Sequence, residues 1–185
     1  MQKLIDIKNL NVRFNDKIIF SDFSLQIEKG EYIGLFAPTG KGKTTLLNEI
    51  AQLYYDKLKI SYVFQDNRLL LNKTVEKNIN LVLDKKNDDV INKLLNDFDL
   101  VSKKYIPCKF LSGGEMQRVN LARAFAYDGD VFLLDEPFSS QDEKHKENII
   151  LLIKNELLKK EKTVILVSHN KKDLEKIGST IISLE

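Results

Sequence analysis

Apolar and polar residues alternate over residues 4–10, where Ile5 and Ile7 are set against Asp6 and Lys8, and short strand patterns resume over residues 18–20 and 23–27. The polar pairs Asn15-Asp16 and Ser21-Asp22 read as turns between them. This predicts a small N-terminal antiparallel sheet that leads through Lys29-Gly30 into the next strand. Beyond that point the pattern changes. Residues 32–36, 59–65, 131–135 and 163–169 are near-continuous apolar runs, as in strands buried on both faces, and residues 180–184 form a last strand. Helical spacings separate these runs. One helix follows the first run through Leu46, Leu47 and Ile50. Val75, Ile79, Val82 and Leu83 follow Thr74, and Val90, Ile91, Leu94, Leu95 and Phe98 follow the start signal Asn87-Asp88-Asp89. Ile149, Ile150, Ile153 and Leu157 stripe a helix over residues 143–161 that Asp142 can cap, and residues 171–177 give a short helix. Strands alternating with helices imply an α/β fold: a mainly parallel sheet with helices on both faces, a small antiparallel β part in front, and the two middle helices as a helical insert.

The stretch that joins the 32–36 run to its helix is Ala37-Pro38-Thr39-Gly40-Lys41-Gly42-Lys43-Thr44-Thr45. A buried strand that enters a glycine-bearing loop and then a helix is the layout of a P-loop, in which backbone N–H groups and the positive end of a helix dipole surround a polyphosphate. Lys43 supplies a point charge for the β and γ phosphates and Thr44 a hydroxyl for magnesium, while Gly40 and Gly42 let the backbone approach oxygen without an intervening Cβ. Ala37 stands where the motif has its first glycine. It is expected to sit at the strand end with an extended backbone, since a non-glycine residue tolerates positive φ poorly.

A second anion site is expected at Ser112-Gly113-Gly114-Glu115. Ser112 and Glu115 have capping-box spacing, so a helix starts at Gly113. Two glycines in its first turn cost about 1 kcal/mol each relative to alanine, a poor choice unless something must approach that backbone closely. Asp135-Glu136-Pro137 ends an apolar run in two carboxylates. Either these are solvated strand-end acids, or a cation offsets their burial, which makes Asp135 a magnesium partner and Glu136 a candidate base. Gln65 can reach a bound ion or cap its strand. His169 is a site residue or a structural strand-end histidine, and Phe14 is an exposed aromatic or a core residue. The P-loop, Gln65, Asp135-Glu136 and His169 all fall at carboxyl ends of predicted strands, where open parallel sheets bind ligands, and that convergence favours a single site.

With 185 residues, 43% of them hydrophobic, the chain can close one core, or a core with a small appended subdomain. Its net charge of +2 arises from 29 basic and 27 acidic residues without a long block of either sign, so no nucleic-acid partner is expected. Cys108 is the only cysteine, which excludes an internal disulfide and a cysteine-based zinc cluster. No apolar run approaches the roughly 20 residues that cross a bilayer, and the N-terminus lacks a signal-peptide core. A cytoplasmic protein that meets a membrane only through a partner is expected.

With these residues the chain resembles the ATP-binding cassette (ABC) family over nearly all of its length. Leu111-Ser112-Gly113-Gly114-Glu115, followed by Gln117-Arg118, matches the family signature, which is more specific than a P-loop. The resemblance implies a P-loop NTPase core of the ABC ATPase type, with ATP and Mg2+ as cofactors. It implies that Phe14 stacks on adenine, that residues 37–45 hold the phosphates, and that Gln65 is the Q-loop glutamine, which senses magnesium and the transmembrane partner. Asp135 and Glu136 look like the Walker B pair, Ser139-Ser140-Gln141-Asp142 like the D-loop, and His169 like the switch histidine. In the family the signature of one subunit closes on ATP held by another. Ser112, Gly113 and Gly114, with Asp142, are therefore expected to bind nucleotide in a head-to-tail homodimer whose closing and reopening drive a transporter.

Phe64-Gln65-Asp66-Asn67-Arg68-Leu69-Leu70 and Asp135-Glu136-Pro137-Phe138 resemble importer subunits of the nitrate, sulfonate, taurine or thiamine-precursor type, whereas Glu115 resembles exporter subunits. The importer is the favoured reading; an exporter ATPase or a non-transport ABC ATPase is the alternative. The expected partners are a transmembrane permease and, through it, a substrate-binding protein. Residues 1–185 are expected to form a single domain: an antiparallel β part (1–30), a P-loop core (31–65), a helical subdomain (73–110), and the signature helix with the rest of the core (111–185). Gln141 stands where the D-loop usually has a hydrophobic residue. The short segment between Glu49 and Gln65 suggests a trimmed antiparallel hairpin, and the short stretch after His169 suggests that no regulatory C-terminal domain follows.

Overall fold

In the computed structural model, which describes residues 3–15, 17–38, 40–158 and 160–184, the N-terminal pattern folds as one long antiparallel hairpin, β1 (Lys3–Phe14) and β2 (Lys17–Glu28). The side chains of Phe14 and Leu158 and all of Thr39 are outside the described residues, so the expectations for Phe14 and Thr39 lie there too. Ser21-Asp22 is not a turn. It lies inside β2, where Asp22 takes φ 54°, and Asn9 in β1 takes φ 53°. Asn and Asp tolerate this left-handed backbone better than most residues, so these positions kink an irregular ladder without ending it.

The remaining strands, β3 (Tyr32–Phe36), β4 (Ile60–Val63), β5 (Val131–Asp135), β6 (Thr163–Ser168) and β7 (Thr180–Ser183), form one sheet in the order β4-β5-β6-β3-β7, and every neighbouring pair is parallel. Their alternate residues feed two cores. Ile33, Leu35, Leu133, Ile165 and Val167 pack with the hairpin residues Ile5 and Ile27 and with Leu46, Leu47 and Ile50 of α1 (Lys43–Tyr54). Phe132, Leu134, Val164 and Leu166 pack on the other side with α4 (Gly113–Tyr127), α5 (Glu143–Leu152), α6 (Lys171–Ile177) and the insert. This two-sided burial is why the strands read as unbroken apolar runs.

The helical insert comprises α2 (Val75–Asn80) and α3 (Asp88–Asp97), with Thr74 and Asn87 as N-caps. α2 is shorter than expected, and Val82 and Leu83 pack from the turn that follows it. The helix expected over 143–161 also changes course. α5 stops at Leu152, a π turn runs over Ile153–Leu158, and Glu161 sits at φ 52°. The apolar stripe is buried as expected, but residues four apart share a face in either winding, so the pattern does not distinguish them. Between α1 and β4 there is no trimmed hairpin. Both Lys57 N and Leu58 N donate to Tyr54 O, and this turn occupies the whole connection. β4 ends at Val63, two residues before Gln65. Among the described residues no helix is long and apolar enough to cross a membrane.

Asn78 holds the insert together. It is fully buried; its Oδ1 accepts from Leu70 N at 2.9 Å, and its Nδ2 faces the carbonyls of Leu70 (3.1 Å) and Thr74 (3.1 Å) and the Cys108 sulfur at 3.2 Å. Asn78→Ala leaves these groups without a partner, and we expect it to lower the urea unfolding free energy by about 1–3 kcal/mol. A loss under a few tenths would show that water replaces the amide.

Candidate active site

The carboxyl ends of the parallel strands share one edge of the sheet, and a cavity of about 640 Å³ opens there. It is lined by Gly40, Gly42, Lys43, Thr44, Thr45, Gln65, Asp135, Glu136 and His169, all expected from the sequence. Lys17, Ile19 and Ser139 line it as well. The family resemblance marks Ser139 only as part of the D-loop, and no local signal marks Lys17 or Ile19, which share one face of β2.

The loop before α1 has the backbone its glycines allow. Gly40 and Gly42 both take φ 82°, whereas Ala37 is not among the residues with positive φ. Gly42 is fixed on a second count, because a Cβ there would lie 2.5 Å from Ile19 Cγ2. Ala37 is 1% exposed and serves through its carbonyl. Lys43 Nζ donates to Ala37 O at 2.7 Å and to Pro38 O at 3.1 Å, which satisfies an ammonium that is itself buried. Lys41 is exposed and does not line the cavity.

Asp135, 1% exposed, ends β5 with its two oxygens in different circumstances. Oδ2 accepts a 2.6 Å hydrogen bond from Thr44 Oγ1, while Oδ1 is buried without a partner among the described residues. Burial pushes this carboxyl's pKa up, the Thr44 hydrogen bond and the Lys43 charge pull it down, and Asp66 pushes it up. A hydroxyl, an orphaned carboxylate oxygen and the Gln65 amide at the rim are hard oxygen donors of the kind magnesium accepts. Among the described residues no group of three His, Cys, Asp or Glu could hold a metal alone. A cation here would need oxygens from a phosphate ligand and water.

Glu136 turns away from the strand with φ 49°; its N donates to Val167 O at 3.1 Å and its O accepts from Gln117 Nε2 at 2.9 Å. The carboxylate reaches His169, with Oε2 and Nδ1 2.9 Å apart, and the His169 side chain is 64% exposed. A carboxylate and an imidazole held together at the mouth of this cavity can orient and deprotonate a water.

Ser112, Gly113, Gly114 and Asp142 do not line this cavity. The capping box forms as expected: Ser112 Oγ accepts from Glu115 N at 3.3 Å, and Glu115 Oε2 accepts from Ser112 N at 2.8 Å. The two glycines have different reasons. A Cβ on Gly113 would meet open space, whereas one on Gly114 would lie 2.7 Å from Ser140 O of the same chain. Asp142 caps α5 by accepting from His145 N at 2.9 Å, and that backbone hydrogen bond is the main reason its pKa is lowered.

A family model described as ABC transporter matches residues 20–139. The chain belongs to the ABC transporter family. As an ABC ATPase it is 34% identical to the phosphonates import ATP-binding protein PhnC of Fusobacterium nucleatum, an alignment that covers 100% of this chain and 90% of that protein. It is 30% identical to the aliphatic sulfonates import ATP-binding protein SsuB 1 of Rhodococcus jostii, over 97% and 78% of the two chains. Among solved structures it resembles the dimeric post-hydrolysis state of the ATP-binding cassette MJ0796 bound to ADP and Pi. The TM-score is 0.86 at 25% identity, over 97% of this chain and 94% of that one. The ABC ATPase binds ATP.

The burial of Asp135 gives a pH-dependent outcome. A folded carboxyl that ionises less readily than the unfolded one costs stability as pH rises from the ordinary aspartate value, about 3.9, through its own raised value. We expect Asp135→Asn to be more stable than the parent without nucleotide at about pH 8, with that advantage disappearing below about pH 3.9. Denaturant melts at a series of pH values check this, and a pH-independent difference would count against it.

Proposed function

We propose that this chain is the ATP-hydrolysing subunit of an importer for a small solute, working as a head-to-tail dimer on a separate membrane permease. The observation that carries the reading is the division of the motifs. Lys43, Thr44, Asp135, Glu136 and His169 meet at one cavity, while residues 112–114 lie outside it and are free to serve another copy. The names of the relatives given above support import, and the dimeric cassette resembled here supports the assembly. Exposed apolar side chains on the hydrogen-bonded segments 70–76 and 104–110, among them Leu71, Tyr105 and Phe110, support a docking face for the permease. Such a partner would hold the subunit at the inner face of the cell membrane and connect it with a substrate-binding protein. The whole described chain is read as one cassette domain.

In this reading ATP phosphates take over the Lys43 hydrogen bonds now made to Ala37 and Pro38, with the backbone of Gly40, Lys41, Gly42 and Thr45 around them. Thr44, Asp135 and Gln65 hold Mg2+, which supplies neutralisation of phosphate charge when bound. Glu136 orients and polarises the attacking water, His169 donates to the γ-phosphate, and a partner's Ser112, Gly113 and Gly114 close on the other side. Phe14 stacks on adenine and Asp142 contributes across the dimer.

Lys43→Ala is expected to abolish ATP hydrolysis in a phosphate-release assay, and retained turnover would refute the site assignment. Glu136→Gln should slow hydrolysis by about 100-fold or more while leaving ATP bound. Sizing chromatography with ATP should then report a stable dimer, and a monomer under those conditions would count against the head-to-tail arrangement.

A further inference from the structure

Gln141 occupies the loop between Asp135 and α5, and its amide is fully engaged. Nε2 donates to Gly114 O at 3.0 Å and to Gln117 Oε1 at 3.0 Å, while Oε1 accepts from Arg118 Nη1 at 3.1 Å. Gln117, 4% exposed, carries the connection inward. Its Oε1 also accepts from Ser140 N at 3.2 Å, and its Nε2 donates to Glu136 O at 2.9 Å and to Ser139 Oγ at 3.3 Å. Two amides thus tie the first turn of α4 to both ends of the loop that begins at Glu136. The missing Cβ of Gly114 permits the approach, since one would lie 2.7 Å from Ser140 O.

Neither helix needs this arrangement in order to start. α4 is capped by Ser112 and Glu115, and α5 by Asp142. A carboxylate at position 141 could not donate to Gly114 O, and an apolar side chain could neither donate nor accept. What remains for the amide is the separation between the two elements. Glu136 has particular need of it, because its positive φ is unfavourable for a residue with a side chain and must be held by its surroundings.

We propose that Gln141 is a positioning residue for Glu136: acting through Gln117, its amide clamps the first turn of α4 to the Glu136 loop. The consequence for turnover rests on the function proposed above. There, residues 112–114 serve a partner's ATP and Glu136 serves the chain's own, so the clamp relates one site to the other.

The test is Gln141→Met, which keeps the side chain's length and removes its amide, beside Gln141→Glu, which keeps only the acceptor for Arg118. In the nucleotide-free protein, hydrogen exchange at the Ser140 amide should speed up about tenfold in both variants. Unchanged protection in either overturns the clamp. This arm needs no catalysis, so it decides the clamp even if the unmodified chain lacks Lys43-dependent hydrolysis, which would sink the proposed function instead. In steady-state assays kcat should fall about tenfold, with the Kd for a fluorescent ATP analogue within twofold and the unfolding midpoint unchanged. Parent-like kcat, or a loss matched by weaker nucleotide binding or lower stability, overturns the positioning role.

Discussion

A parallel sheet covered on both faces can offer polar groups to a ligand only beyond its ends, and that constraint organises this molecule. β5 and β6 have no exposed residue along their length, so every charge they bring to the site sits at or just past the last strand position. Asp135 is the limiting case. It is still within β5 and nearly inaccessible, and among the described residues only the Thr44 hydroxyl, delivered by the neighbouring loop and helix, partners its carboxylate. One residue further, Glu136 is free to swing out, at the cost of a left-handed backbone.

The second organising element is the polar side of α4. Asn120 donates to Phe64 O at 3.3 Å and Arg123 to Arg68 O at 2.9 Å, which holds the segment around Gln65, while Gln117 holds the segment after Glu136. One helix therefore fixes two of the loops that border the cavity, and its first turn packs on the second of them, where Gly114 O accepts from Gln141 Nε2. Stacking of Phe64 on Tyr62 (3.8 Å) and of Arg68 over Phe64 (3.7 Å) stiffens the same segment.

Much of this was legible from local chemistry. The P-loop, the Ser112–Glu115 capping box and the caps at Asn87 and Asp142 all depend on residues a few positions apart, and each forms as the sequence implies. The five parallel strands were legible because burial on both faces leaves an unbroken apolar run. What escaped depends on partners distant in sequence, or on patterns with two solutions. Asp22 looks the same in a turn and in a kinked strand, and the Ile149, Ile153, Leu157 stripe fits an α or a π winding. Gly113 and Gly114 look equivalent, yet only Gly114 is packed against another segment. Lys17 and Ile19 border the cavity because the hairpin folds back over it, which nothing in their own neighbourhood announces.

The position of Lys43 also bears on how tightly a ligand is kept. Its ammonium is bonded to the carbonyls of its own loop, so the loop is internally braced by the same cation that a phosphate would claim. For the site proposed above, nucleotide entry would exchange one set of Lys43 acceptors for another. A group already held in place has less ordering left to undergo when it binds. Affinity becomes a difference between two satisfied states, so the loop can release its ligand as well as seize it.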